Sequence, residues 1–147
     1  MLPAIKSLLS YSNQKVLNRY SRDYPDNQLK SDEAFAELMK YFWLSQKHKT
    51  EISVDPHNES LKFHCVIHKE MSDMDDMWHT FLLFTQDYLN FCMEFFDGYI
   101  HHTPIGEEEQ KDLLLPDFEL ELNRYLSYIY DNLGQETVEK WFSSLLV

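Results

Sequence analysis

The chain reads as a mostly α-helical protein, and three features carry that reading. Its 147 residues hold only 3 glycines and 5 prolines, placed where helices should begin or end. Met74, Met77, Phe81, Phe84, Tyr88, Phe91 and Phe95 step by three and four in turn, the spacing that lines one side of a helix. No period of 20 to 50 residues recurs, so the helices belong to one packed unit rather than a solenoid. A chain of this length buries roughly 70% of the surface its unfolded form exposes. The expectation is a single compact helical domain, residues 1–147, of about six helices around a central aromatic-rich helix at 73–96, with a short extended or hairpin segment near 51–68.

Taken in order, Pro3 suits the first turn of a short opening helix carrying Ile5, Leu8 and Leu9. "NQKVLNRYSRDYP" then places Val16, Leu17 and Tyr20 on one face until Pro25 ends the run. Ser31 stands where it can cap "DEAFAELMKYFWLSQKHK", with acids in the first turn and Phe35, Leu38, Met39 and Phe42 on the buried stripe. Lys47, His48 and Lys49 suit the negative end of that helix. The texture changes in "EISVDPHNESLKFHCVIH", where alternation at Leu61, Phe63, Cys65 and Ile67 predicts the hairpin or extended crossing. Ser72 and Asp75 resemble a capping box for the central helix, and Asp97-Gly98 should end it. Trp78, Leu82, Leu89, Cys92 and Phe96 widen its stripe, a pattern of core far more often than of a cofactor site. Beyond "HHTPIG", the run Glu107, Glu108 and Glu109 lacks the glycine and spacing of a calcium loop and reads as a solvated helix start. "PDFELELNRYLSYIYDNLG" and "ETVEKWFSSLLV" supply the last two helices.

Charge is uneven along the chain. Residues 1–50 carry eight Lys/Arg against five Asp/Glu, while residues 51–147 carry five against twenty, giving +3 and −15 and the net −12 of the whole. Such an acidic body repels phosphate backbones, which excludes nucleic acid as the expected partner and favours a protein with a basic surface. Cys65 and Cys92 form no CxxC or CxxH spacing, so neither a disulfide framework nor a zinc ribbon is expected and a reducing, cytoplasmic setting is. No stretch reads as a signal peptide or a membrane span.

No G-x-S-x-G, P-loop, HExxH or dinucleotide fingerprint occurs. What chemistry there is lies in histidine and carboxylate. His79 sits one turn from Asp75 and Asp76, so that face can offer nitrogen and oxygen to zinc or iron. His101 and His102 could complete the set, but one continuous helix would hold the two clusters about 35 Å apart at its opposite ends. On that geometry these histidines serve the fold, and no metal or other cofactor is expected. His64 and His68 would share one side of a strand about 13 Å apart, too far to chelate together.

"DDMWHTFLLFTQDYLNFC" followed by "GYIHHTP", with "VLNRYSRDYP" and "KYFWL" upstream and a tryptophan-bearing last helix, resembles the short bacterial members of the glycine-rich-domain-containing-protein-like family. The resemblance is most specific over residues 75–104 and implies an α-helical domain with no established enzymatic activity. Longer eukaryotic relatives are implied to carry a Trp-His-x-His element, and this chain has Phe81 where the second histidine would fall. The resemblance does not extend to a glycine-rich tail in these residues, so no function of such a tail is implied.

Together these features point to a non-enzymatic, acidic protein-interaction module, a regulator or inhibitor of a larger partner. Aromatic anchors for it would be Tyr99, Tyr128, Tyr130 and Trp141, and a chain with 22 aromatic residues (10 Phe, 9 Tyr, 3 Trp) can leave enough apolar area for a homodimer. The alternative is a metal-dependent hydrolase or oxygenase with ligands drawn from Asp75, Asp76, His79, His101 and His102.

Overall fold

The computed structural model describes residues 2–102 and 118–143. Seven helices lie among them: α1 (Ile5–Leu9), α2 (Gln14–Asp23), α3 (Ser31–Val54), α4 (Ser72–Leu83), α5 (Thr85–Phe96), α6 (Phe118–Leu133) and α7 (Gln135–Trp141). The mostly helical expectation holds, and no strand occurs among the described residues. The acidic run Glu107 to Glu109 and the helix start at Pro116 lie outside the described residues.

Helix α3 is the longest element and packs against α1, α2, α4 and α6. Its expected stripe is its observed one: Phe35, Leu38, Met39 and Phe42 are buried, joined by Ala34, Tyr41 and Leu44. Two details of its ends differ from expectation. Ser31 is the first helical residue and Lys30 stands at the cap position with no side-chain bond, a shift of one residue of the kind helix ends commonly show. The helix also continues to Val54, past the Lys47–Lys49 cluster, because Lys47 pairs with Glu51 one turn on at 2.8 Å, and Pro56 soon forbids further extension.

The segment expected as a hairpin is therefore helix to Val54, a short 3-10 turn at Glu59–Leu61, and then irregular chain. The alternation survives without a strand: Leu61 and Phe63 are buried while Lys62 and His64 are exposed. Side chains replace the missing ladder. Tyr41 and Tyr125 donate their hydroxyls to the carbonyls of Cys65 (3.1 Å) and Val66 (2.8 Å). Arg124 donates to Lys62 O at 3.2 Å, and the His48 ring bonds Leu61 O at 2.9 Å. These four carbonyls thus find donors from neighbouring helices, which meet part of the demand a sheet would otherwise meet.

The central helix at 73–96 is in fact two. Phe84 leaves the helical region (φ −97°, ψ 69°), ending α4 and starting α5, although neither glycine nor proline stands there. Its N–H bonds Phe81 O at 3.0 Å, a tightened last turn. The apolar stripe continues across the break, with Phe81 meeting Tyr88 and Phe91 at centroid distances of 5.0 and 5.3 Å. Helix α5 ends with Asp97 in the left-handed conformation (φ 52°), where aspartate is tolerated far better than most residues. The chain beyond it then returns to the first turns of α4.

Candidate metal centre

The return begins with Ile100, buried, whose carbonyl accepts the Tyr88 hydroxyl at 2.5 Å. Tyr88 in turn accepts the Trp78 indole N–H at 3.0 Å, so a hydrogen-bonded chain ties α4, α5 and the returning segment together. Trp78 also meets the His102 ring edge-on at 4.3 Å. Every member is seated in the aromatic core, since Trp78 packs at 5.0 Å from Phe42 and 5.8 Å from Tyr41 of α3. This seat delivers His102 to α4.

There Asp75 meets two histidines. Its Oδ1 lies 2.6 Å from His102 Nε2 and its Oδ2 lies 3.6 Å from His79 Nε2, while the two imidazole rings stand 4.6 Å apart. One ligand atom from each of the three residues lies within 4.8 Å of the others. An ion bound at about 2.0–2.2 Å from each donor needs donors roughly 3.3 Å apart, so closing the widest pair takes a shift of about 1.5 Å or less. His79 can supply that movement, being 48% exposed in its side chain against 14% for His102. The more buried donor is the one beside Trp78, and the more exposed one faces solvent.

Of the five ligand candidates in the sequence, the structure brings three together. Asp76, one residue round the helix, turns instead to Asn27 and accepts its amide at 3.0 Å; burial raises its pKa, with Asp75 and Asp73 adding to the rise. His101 alternates away from His102 and lies exposed beside Tyr99, ring to ring at 4.7 Å. The expectation that the helix keeps the two clusters apart is overturned by the break at Phe84, which turns one rod into two arms. Asp75 likewise does not form the expected capping box: Met71 precedes the first helical residue, no side chain caps it, and the Asp75 carboxylate is taken by the histidines. Phe81, where the second histidine of a Trp-His-x-His element would stand, is wholly buried, and the second nitrogen comes from His102 instead.

The four candidate anchors separate cleanly. Tyr99 and Tyr130 are 47% and 56% exposed. Tyr128 and Trp141 are interior, so as surface anchors they are corrected. Trp141 donates its indole N–H to Glu37 at 2.9 Å, and the Tyr128 hydroxyl bonds Glu51. His64, the other histidine with a carboxylate partner, pairs with Glu121 of α6 rather than with His68.

An all-α fold whose α4, α5 and returning segment converge on two imidazoles and a carboxylate defines a helical domain with a candidate metal centre. The chain belongs to the UCP032817-like family, an uncharacterised family whose model matches residues 7–112, a span that includes Asp75, His79 and His102. No curated protein and no solved structure matches the chain significantly.

Proposed function

We propose that the protein is a metal-binding helical domain that holds a divalent zinc or iron ion through Asp75, His79 and His102. The observation that carries this reading is the convergence of three ligand atoms within 4.8 Å from residues up to 27 positions apart in sequence. Two nitrogens and one oxygen, with no thiolate, suit zinc or ferrous iron. Three protein donors leave further positions to solvent on the exposed side of His79, the arrangement of catalytic rather than structural sites. Held by Asp75, His79 and His102, such an ion would supply activation of water for hydrolysis or, as iron, of oxygen for oxygenation. The test is elemental analysis of untagged protein beside His79→Ala and His102→Ala, with circular dichroism as the folding control. About one ion per chain in the parent, lost from both folded variants, is the expected outcome; parent protein that neither contains nor takes up zinc or ferrous ion at neutral pH removes the proposal.

A second reading, the acidic interaction module, is favoured by one observation: Leu83, Leu89, Met93 and Tyr99 are all substantially exposed along and just beyond α4 and α5. With a net charge of −12, this surface suits a protein partner that offers apolar and basic side chains, or a second copy of the chain. Salt-sensitive capture of one stoichiometric partner, or a dimer mass in light scattering, supports it; a monomer recovered alone counts against it. Free thiols at Cys65 and Cys92 support a cytoplasmic setting. No helix among the described residues is long and apolar enough to cross a membrane.

A further inference from the structure

Away from the metal centre, the C-terminal end of α3, the irregular segment after it and the first turns of α6 line an open cleft of about 350 Å³. That volume falls at the small end of ligand pockets, roughly 300–1,000 Å³. Its apolar wall is Ile52, Leu61 and Phe63, and its polar rim is Asp55, Asn58, Lys62, His64 and Glu121. The positive charge of the rim is already paired. Lys62 Nζ is held by Glu59 at 2.9 Å, and Arg124 nearby reaches the same carboxylate at 3.5 Å. Glu121 Oε1 accepts the His64 backbone N–H at 2.7 Å and also faces the ring Nδ1. The acceptors are not used up: among the described residues the Asp55 carboxylate has no hydrogen-bond or ion-pair partner, and Glu121 Oε2 has none either. With Lys62 neutralised by Glu59, the Asp55 and Glu121 carboxylates carry the unpaired charge of the cleft and select a cationic ligand.

We propose that this cleft binds a small organic cation, a primary amine carried on an apolar body. The hydrocarbon part lies against Ile52, Leu61 and Phe63, and the ammonium group donates to Asp55 and Glu121 Oε2. An ammonium has three donors and no acceptor, which suits a rim where, among the described residues, the Asp55 carboxylate and Glu121 Oε2 have no partner. An anion of the same shape meets two carboxylates and is refused. The inference is independent of the metal centre and stands or falls without it.

The experiment is a two-dimensional amide NMR titration of the full chain with benzylamine, benzyl alcohol and benzoate. Saturable shifts confined to residues lining the cleft, with a dissociation constant on the order of 1 mM for benzylamine, are expected. Benzyl alcohol should bind more weakly and benzoate not at all. Asp55→Asn, whose side chain holds nothing else among the described residues, should weaken benzylamine about two- to fivefold, the strength of an exposed ion pair, and Glu121→Gln similarly. Because Glu121 also anchors His64, Asp55→Asn is the variant that decides if Glu121→Gln unfolds. Equal binding of benzoate or benzyl alcohol, an unchanged constant in folded Asp55→Asn, or no saturable shift overturns the proposal. So does tighter binding of an acetylated, amidated lysine, which would make the occupant a protein side chain.

Discussion

Two histidines mark two regions that depart from regular structure in opposite ways. His48, near the end of α3, is 6% exposed; its ring bonds Leu61 O and lies against Phe63 at 4.1 Å, so the imidazole is spent on holding an irregular backbone. His102, after α5, has its backbone placed for it by the neighbouring Tyr88–Ile100 bond and the Trp78 ring, so its own nitrogen is left to face Asp75 and His79. The difference teaches where chemistry can reside. A side chain that must satisfy a buried carbonyl is structural; one that others have positioned is available to a ligand.

The largest expected effect breaks the positioned region. Trp78→Ala removes the packing against Phe42, Tyr41 and His102 together with the bond to Tyr88, and should cost about 3–5 kcal/mol in urea unfolding. If the loss is under about 1 kcal/mol, the indole does not seat His102 and the contrast with His48 collapses. Next comes the ion itself: zinc at one hundred times its dissociation constant should stabilise the parent by about 2.7 kcal/mol and His102→Ala by far less, read as a shift in the thermal midpoint. An equal shift in both proteins would place zinc elsewhere. In the structural region, Tyr125→Phe deletes the donor to Val66 O and should cost about 1–2 kcal/mol without altering zinc stabilisation. Any loss of zinc response there would show that the two regions are not separable.

The smallest effect is a pH dependence confined to the structural region. Burial lowers the His48 pKa below its ordinary value, against the raising effects of its Leu61 bond and nearby Glu51 and with a small lowering from His64; burial lowers His68 too, against Glu70 and Glu121. The unfolded chain therefore takes up protons first. Stability contributed by these neutral rings is complete above about pH 6.5 and is lost as pH falls through their lowered folded values. Urea midpoints measured downward from pH 7.5 should fall, and His48→Gln should flatten that slope relative to the parent.

Much of this was legible in the chain, and the reasons differ by region. Val16, Leu17 and Tyr20, or Phe35, Leu38, Met39 and Phe42, announce buried helix faces because a 3.6-residue repeat leaves no other regular interpretation. Asp75 and His79 share a face for the same reason, and that half of the site was visible. Its other half was not, because the stripe from Met74 to Phe95 runs unbroken through Phe84. Thr85 and Asp87 are the one polar hint, a helix-start pattern set inside an apolar run. The period-2 pattern at Leu61–Ile67 records alternate burial faithfully but says nothing of whether the backbone partners are another strand or the hydroxyls of Tyr41 and Tyr125. Tyr128 and Trp141 misled as surface anchors because an amphipathic ring suits an interface or an interior with a polar acceptor equally well, and Glu51 and Glu37 are those acceptors.

The turn at Phe84 also has a bearing on the order in which the molecule assembles. Bringing His102 to Asp75 closes a span of 27 residues, whereas bringing Trp141 to Glu37 closes one of 104. On chain-closure entropy alone the shorter loop costs about 1 kcal/mol less. The two arms and their returning segment can therefore close on one another while α7 is still undocked. In pulse-labelled hydrogen exchange we expect the amides of α4 and α5 to gain protection before those of α7, so that the polar triad is already assembled when the last helix seals the core.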